Sequence, residues 1–508
     1  MDISLKQEEY NFLKSLSDNT VEESVEAELS LPEYMPEILR IIKSTADTKI
    51  NSCRLVGERV TVDGVCDLRM IYTAEDGGVY TFSGSRPFTR HCENSEFAQC
   101  TDAVAVAEVS YVNCRATGTK RAEIKAGITI KFKVYGEEKL GFVSRIDESG
   151  IEQRTHFTKG ASLGCCSTKH FSMSDTLTLN TPAAFLISAR AVALCGETRK
   201  ISNKIMIKGE AIVDICYVNA NDKTCTERTR HTRPINQIIE YDKMDEKYMG
   251  SVHLAVSALD VIPKGDTQGV FTAFDISLGV SATAEMWEER ELCLVTDAYS
   301  VNSALELKSV PLDIYDRIED FSDTYIFEGS FSVSGEGAVS VVDCVGVTSN
   351  LKTTVENEDL VTSGTITINA IIKDTTGSLS SVNKVFDFKY KRAGDYQNRN
   401  IFCKPHISVV SADCMPKDSK TLGVRCEMNI SACVMSRETV ECVVSLTKSE
   451  KKLKRKTNAI TVYFPEENNE SLWSIARRYN TTVKAIADEN NLEGETTESL
   501  KMIFIPCM

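Results

Sequence analysis

The sequence predicts a mainly β protein, with three tandem β-sandwich-like modules followed by a small βααβ domain. Three observations favour this fold class. Sequence landmarks recur with a period of about 150 residues, the length of a typical whole domain. Apolar and polar residues alternate within the repeated segments, as they do in half-buried strands. Near the C-terminus the apolar residues change to the spacing of helices.

The first landmark is a glycine followed eight residues later by a large apolar side chain. Gly64 precedes Tyr72 and Gly209 precedes Tyr217 at this distance, and a weaker third copy begins at Gly364. The successive glycines are 145 and 155 residues apart. A glycine inside a strand usually marks a bulge or a close approach of another chain segment. We therefore expect one of these features at each glycine.

The second landmark lies later in each copy. The segment VSALDVIPK at 256–264 resembles VSADCMPK at 410–417, and VSYVN at 109–113 occupies the same place in the first copy. Asp260 and Asp413 are 153 residues apart. In two copies an Arg-Pro pair also recurs, as Arg86-Pro87 and Arg233-Pro234. Two independent landmarks thus give one period, and each copy is expected to be a globular domain.

Strands and turns can be recognised within a copy. The segments ITIKF at 128–132 and ITINA at 366–370 alternate with the period of two that half-buried strands have. Turn-forming residues, such as DGG at 76–78, lie between such runs. Outside the C-terminal domain, a helix is expected mainly at 31–42, where LPEYMPEILRII has apolar residues at helical spacing after Pro36.

These patterns divide the chain into six segments. We expect an N-terminal arm at 1–30, modules at 31–170, 171–310 and 311–450, a basic linker at 451–458 and the C-terminal domain at 459–508.

Composition limits the class of protein. The chain has 508 residues and a net charge of -15, which argues against a general nucleic-acid binder because such proteins need a basic surface. The N-terminal MDISLKQEEYNFLKSL has no apolar stretch, so we expect no secretory signal, and no apolar run is long enough for a transmembrane span. The 18 cysteines are therefore expected to stay reduced. Cys66, Cys216, Cys293 and Cys344, which lie among β-forming residues, are expected to be small buried hydrophobic residues.

Motifs for catalysis and metal binding are missing from the sequence. It contains no G-x-S-x-G elbow, no H-E-x-x-H and no phosphate loop ending in G-K-[ST]. The only tight cysteine cluster is Cys165-Cys166 with His170, and vicinal cysteines rarely both face one ion. We expect neither catalytic residues, nor a metal site, nor a cofactor.

The C-terminal segment has the order strand, helix, helix, strand. A first strand is expected at 460–464 and a second at 502–506. Ser471 can cap a helix that ends at Tyr479, and Thr482 can cap a second helix. The first helix has one apolar face, formed at positions i, i+3, i+4 and i+7 by Leu472, Ile475, Ala476 and Tyr479.

This segment resembles a LysM domain, most specifically in SLWSIA at 471–476 followed by NTTV at 480–483. The resemblance implies binding of N-acetylglucosamine glycans through the loops before the first helix and before the second strand. Both loops depart from the family. Gly-Asp-Thr is replaced by Asn-Glu-Ser at 469–471, and Pro-Gly-Gln by Ser-Leu-Lys at 499–501. The glycine turns that let a backbone approach a sugar are missing, which favours a protein partner.

Three residues of the C-terminal domain are candidates for contacting that partner: Trp473, Arg477 and Tyr463. An α-helix turns by roughly 100° per residue, and this rotation places Trp473 to one side of the apolar face of its helix. It can either cover the edge of the small core or act as an exposed aromatic anchor, which is a frequent hot-spot residue. Arg477, four residues later, shares its face of the helix.

The repeated Gly…Tyr…Arg-Pro-Phe pattern, the preceding segment 31–42 and the final LysM segment together resemble the SPOCS (DUF3794) family. The resemblance covers nearly the whole chain and implies a non-enzymatic protein of spore-coat assembly. It implies a cytosolic protein of the mother cell at the forespore surface, whose LysM domain binds the coat ATPase, stage IV sporulation protein A. Other coat proteins are further candidate partners. The alternative is a peptidoglycan-binding protein of the cell wall or cortex.

Overall fold

The computed structural model describes residues 3–222, 225–240, 248–266, 270–334, 340–397, 399–403, 405–449, 461–465, 470–492 and 502–506. The fold is mainly β, with two short helices near the C-terminus, as the sequence predicts. Strands β1 to β18 form three similar sets of sheets, and β19, α1, α2 and β20 form the C-terminal domain. The described residues include no helix that is long and apolar enough to cross a membrane.

The first set contains six strands in two antiparallel sheets, of order β2-β3-β4 and β1-β6-β5. Their bounds are β1 Leu5–Ser30, β2 Arg40–Val56, β3 Arg59–Thr73, β4 Val79–Glu93, β5 Cys100–Gly118 and β6 Arg121–Ile146, with a 3-10 turn at Ser95–Gln99. Inward side chains of both sheets share one apolar core, so the sheets form a sandwich. The first strand of the set pairs with the last along its whole length.

The second set repeats this arrangement with one long strand in two roles. β7 Ile151–Ile201 pairs through its first part with β11 and through its second part with β8. The other strands are β8 Lys204–Asn219, β9 Thr226–Glu240, β10 Tyr248–Gly265 and β11 Phe271–Ser300. β7 therefore replaces both β1 and β2 of the first set.

The third set returns to separate strands. Its sheets have the orders β13-β14-β15 and β12-β18-β16, with β17 also paired to β18. The bounds are β12 Leu305–Ser332, β13 Ser340–Glu356, β14 Asp359–Lys373, β15 Leu379–Arg392, β16 Ile401–Cys403, β17 His406–Pro416 and β18 Thr421–Lys448.

The repeated glycines lie in the inner strands β3, β8 and β14, at positions where a side chain does not fit. A Cβ on Gly64 would lie 2.6 Å from the backbone oxygen of Lys49 and would overlap Phe88, which is paired opposite it. At Gly209 a Cβ would overlap a backbone oxygen, and at Gly364 it would lie 2.9 Å from one. The neighbouring strand has a register shift opposite each glycine. The expected bulge and close approach are confirmed at these positions.

The Arg-Pro landmark also has one structural meaning in both copies. Pro87 is paired opposite Val65, and Pro234 opposite Glu210, in each case one residue after the repeated glycine. Both prolines lie in edge strands, β4 and β9, where a residue without an N–H is tolerated.

Equivalent residues of the three sets meet at two places, as around an approximate three-fold axis. β2, β7 and β13 each have a bulge 22 residues before the repeated glycine, at Ile42, Ile187 and Val342, and these three side chains share one apolar cluster. In a second cluster, Val143, Val295 and Val443 meet from the last strands of the three sets. The modules therefore pack against one another and are not separate beads on a string.

A buried ion pair adds to the contact between the second and third modules. Arg190 donates hydrogen bonds to both carboxylate oxygens of Asp343, at 2.6 and 2.7 Å, and one to the carbonyl of Cys344. The side chain of Asp343 is only 3% exposed. Burial would raise its pKa, but the charges of Arg190 and Lys43 outweigh burial and hold the pKa below its usual value.

Strand pairing gives different boundaries from those predicted. The segment 1–30, expected to be an arm, contains β1, and the three sets span 5–146, 151–300 and 305–448. The predicted boundaries fall about 25 residues too late at the first module and 10 to 20 residues too late at the second, because the landmarks lie in the inner strands. The linker at 451–458 lies outside the described residues.

The helix expected after Pro36 is absent. Residues 36–39 are irregular, and Arg40 begins β2, where Ile41 pairs with Tyr72. Two consecutive β-branched residues favour a strand, and the partner β3 supplies the ladder that local spacing cannot reveal.

The cysteines whose side chains the structure describes form no disulfide bonds. Cys66, Cys216 and Cys344 are buried among apolar residues, as the sequence predicts, and Cys293 is half-buried. Burial raises the pKa of the Cys66 thiol to about 11 and that of Cys216 to about 12. The side chain of Cys165 lies outside the described residues, and within the described part no group of three or more His, Cys, Asp or Glu could hold a metal ion.

Candidate functional site: the C-terminal domain and its seat on the second module

The C-terminal domain has the predicted order of elements, which are β19 Thr461–Tyr463, α1 Leu472–Tyr479, α2 Val483–Asn490 and β20 Ile503–Ile505. Ser471 caps α1 by accepting a hydrogen bond from the Ser474 N–H, and Thr482 caps α2 in the same way. Asn480 and Asn491 end the helices in the left-handed region, with φ of 54° and 53°.

The apolar core of this domain is completed by a residue from the second module. Leu472, Ile475, Ala476, Ile486, Ile503 and Ile505 form the core, and Tyr299 near the end of β11 is buried with them. The Tyr299 hydroxyl donates a 2.8 Å hydrogen bond to the Thr481 carbonyl. Its ring meets the Trp473 ring edge to face, with centroids 4.9 Å apart. Burial raises the pKa of Tyr299 above its ordinary value, so it stays a hydrogen-bond donor.

A single carboxylate on β11 receives both polar side chains of the α1 face. The Trp473 indole N–H donates a 2.8 Å hydrogen bond to Asp297. The Arg477 guanidinium donates to both oxygens of the same carboxylate, at 2.7 and 3.0 Å. Asp297 and Tyr299 therefore hold the domain on the second module through one charged and one aromatic contact. We call these two residues the seat of the domain.

The other two modules cannot offer the same seat. Bulges at the ends of β6, β11 and β18 align Asp297 with Arg145 and Ser445. An arginine at this position would repel Arg477, and a serine carries no charge to pair with it. The positions equivalent to Tyr299, two residues further on, hold Asp147 and Thr447 and have no ring to pack on Trp473.

The third predicted site residue, Tyr463, lies inside the C-terminal domain. Its hydroxyl donates a 2.7 Å hydrogen bond to Glu470, and Arg478 donates to the Tyr463 oxygen and to Glu470, each at 2.7 Å. The hydrogen bond to Glu470 is the main cause that raises the pKa of Tyr463, and burial adds to it. Tyr463 thus fixes β19 to the residue before the α1 cap.

The structure brings Trp473 and Arg477 together on Asp297 and leaves Tyr463 apart from them. Their role in binding a partner stays a prediction. Sequence reasoning missed Asp297 and Tyr299, which are 176 and 182 residues from their bonding partners Trp473 and Thr481. The only sequence signal that could have marked these two positions is a difference between the copies, because neither Asp297 nor Tyr299 recurs in the other two modules. The altered loop residues Asn469 and 499–501 lie outside the described part of the chain.

Comparison with known families agrees with this architecture of β modules and a C-terminal βααβ domain. Residues 37–117 match the family described as SipL, SPOCS domain, and residues 467–500 match the LysM domain family. The resemblance predicted from the sequence is confirmed for these two segments. Together the two domains fit a sporulation coat-related protein. No curated protein and no solved structure matches the chain.

Proposed function

We propose that the protein is a non-enzymatic scaffold of spore-coat assembly in the mother cell, which binds the coat ATPase, stage IV sporulation protein A, through its LysM domain at the forespore surface. The observation that carries the proposal is the seat of the LysM domain on β11. Asp297 and Tyr299 fix a small binding domain at one place on a large three-module body. A binding domain held in this way gives the body a defined orientation on its partner.

The charged groups of the body support a structural role. Arg190 with Asp343 and Arg392 with Glu319 are ion pairs between strands or modules, with nitrogen–oxygen distances of 2.6 and 2.7 Å. The pKa shifts of Asp343 and Glu319 have their causes in these contacts. The shifts of these two carboxylates are thus explained by packing within the body.

A second candidate function is binding of peptidoglycan, favoured by the match of residues 467–500 to the LysM family. The sequence argues for the protein partner, because the residues at 469–471 and 499–501 lack the glycines that let a backbone approach a sugar.

One binding experiment separates the two functions. The full chain and a chain ending at residue 450 are each titrated with the purified coat ATPase and sedimented with purified peptidoglycan. We expect the full chain to bind the ATPase, the shortened chain to lose this binding, and neither to sediment with peptidoglycan. If the full chain but not the shortened chain sediments with peptidoglycan, and the full chain does not bind the ATPase, the glycan function is supported instead. The unfolding transition of the shortened chain controls for its body remaining intact.

A further inference from the structure

Two buried thiols meet between the two sheets of the third module. The Sγ atoms of Cys344 on β13 and Cys414 on β17 are 3.0 Å apart. Both side chains lie in the apolar core of the module, where Cys344 is 3% and Cys414 is 8% exposed. β13 belongs to the sheet β13-β14-β15, whereas β17 is paired to β18 in the opposite sheet. A bond between the two sulfurs would therefore join the two sheets of the sandwich.

The geometry of the thiol pair suits the formation of a disulfide. The sulfurs would have to approach by only about 1 Å to reach bonding distance. Cys414 is the thiol that reacts first, because the thiolate is the nucleophile and this group ionises more readily. The hydrogen bond from Cys344 lowers the pKa of Cys414, and the same bond, together with burial, raises the pKa of Cys344.

Access to the pair is narrow but suits a small oxidant. Cys414 is the more exposed of the two thiols. Among the described strands, β17 is paired only to β18, so it lies at the edge of its sheet. Opening of a single edge strand therefore exposes the sulfur of Cys414 to a molecule of the size of hydrogen peroxide.

The pair of thiols belongs to the third module alone. Its first thiol lies two residues after the bulge that β2, β7 and β13 share, and the other modules have Ser44 and Ala189 at this position. Its second thiol follows the bulge shared by β5, β10 and β17, and the other modules have Cys114 and Val261 there. The same sandwich is thus built twice without two facing thiols, so packing of the core does not require them.

The residues next to the two thiols hold the second module. Asp343 and Asp413 each directly precede one thiol of the pair. Asp343 is bound by Arg190 at 2.6 Å, and Asp413 accepts a hydrogen bond from Arg228, which also donates to the neighbouring backbone. Successive side chains of a strand point to opposite faces, so the thiols face the core and the carboxylates face the second module. The relative position of the two carboxylates therefore depends on how β13 and β17 are held together.

We propose that Cys344 and Cys414 are a redox site that hydrogen peroxide closes to a disulfide, and that this bond fixes β13 to β17 and with them the face that holds the second module. The Cys414 sulfur attacks one peroxide oxygen, the O–O bond breaks, and Cys414 becomes a sulfenic acid while its proton leaves in water. The Cys344 sulfur then attacks the sulfenic sulfur, the S–O bond breaks, and a second water leaves with the Cys344 proton. Two thiols thus lose two electrons and two protons, and one peroxide becomes two waters.

The test uses the full chain with hydrogen peroxide as the oxidant. Reduced protein is treated with a molar equivalent of peroxide, denatured in N-ethylmaleimide and digested without reductant for peptide mass mapping. Cys344→Ala and Cys414→Val each remove one thiol and introduce the residue that the second module has at the same position. Cys426→Ala is the matched control, because Cys426 is a buried thiol of the same core.

We expect the wild-type chain and Cys426→Ala to lose two maleimide-reactive thiols and to yield peptides joined through Cys344 and Cys414. The two pair variants should consume peroxide several-fold more slowly. In the wild-type chain the cross-link closes a loop between residues 70 apart, so it should raise the unfolding temperature by several degrees. It should also slow amide hydrogen exchange in β13 and β17, and dithiothreitol should reverse both effects.

Two results would overturn the proposal. Oxidation of other thiols in the folded wild-type chain, without a link between Cys344 and Cys414, excludes the redox site. A link that leaves the unfolding temperature and the exchange of β13 and β17 unchanged excludes its effect on the face of the third module. The measurements on the wild-type chain decide both points, so they stand even if a variant fails to fold.

Discussion

Removing the Asp297 carboxylate should release the LysM domain from the second module. Asp297→Ala deletes the acceptor of the Trp473 indole N–H and the anionic partner of Arg477. A hydrogen bond to a charged group contributes about 1.5–3 kcal/mol. The Arg477 side chain is half exposed, so solvent screening limits its ion pair to about 0.5 kcal/mol. The docking equilibrium should therefore shift by about 2–3.5 kcal/mol, or roughly 30- to 300-fold.

Tryptophan fluorescence can measure this release directly. The chain has two tryptophans, Trp287 and Trp473, so a Trp287→Phe background leaves one reporter at the seat. In that background, Asp297→Ala should shift the Trp473 emission to the red and increase its quenching by acrylamide, because the indole loses its contacts with Asp297 and Tyr299.

Asp275→Ala is the control, since Asp275 is another hydrogen-bonded aspartate on β11 but is paired to Lys264 and Thr176. It should leave emission and quenching as in the background. If Asp297→Ala gives the same emission and quenching as Asp275→Ala, the docking contact does not hold the domain and the reasoning is refuted.

Three further predictions concern the body. Gly64→Ala should destabilise the fold by about 1–3 kcal/mol in urea unfolding, because its Cβ would lie 2.6 Å from a backbone oxygen. The control Gly141→Ala, where a Cβ would have no atom within 4 Å, should leave stability unchanged, and equal effects of the two variants would contradict the close approach at Gly64. Asp343→Asn should cost about 3 kcal/mol in the same assay, because Arg190 is left without its buried anion, and an unchanged midpoint would argue against the inter-module pair. Burial and the neighbouring His253 lower the pKa of His406 below 6.5, so the contribution of neutral His406 to folding stability should be full above pH 6.5 and fall as the pH drops below it. His406→Asn should flatten this dependence of the unfolding free energy on pH, and an unaltered dependence would exclude His406 as its cause.

Much of the fold follows from local sequence patterns. The repeated glycines and the Arg-Pro pair gave the copies and their common register, because each reflects a backbone constraint that only certain residues satisfy. The LysM elements were predicted to within one or two residues, since both helices have a capping residue and one apolar face.

The remaining features depend on contacts between distant segments. The segment expected to be an arm is strand β1, whose partner β6 lies about a hundred residues further on, as in the pair Val25 and Ala126. The helix prediction at 36–42 failed for the same reason, since pairing with β3 overrides local spacing. The LysM seat could not be predicted, because Asp297 gives no sign in the sequence that it faces Trp473.

The most direct test of the scaffold proposal is the location of the protein in sporulating cells. The full chain and a chain lacking 459–508 are each fused to a fluorescent protein and imaged in cells with and without the coat ATPase. The proposal predicts a ring of the full chain around the forespore that disappears when either the LysM domain or the ATPase is missing. A ring that persists without the LysM domain would contradict it.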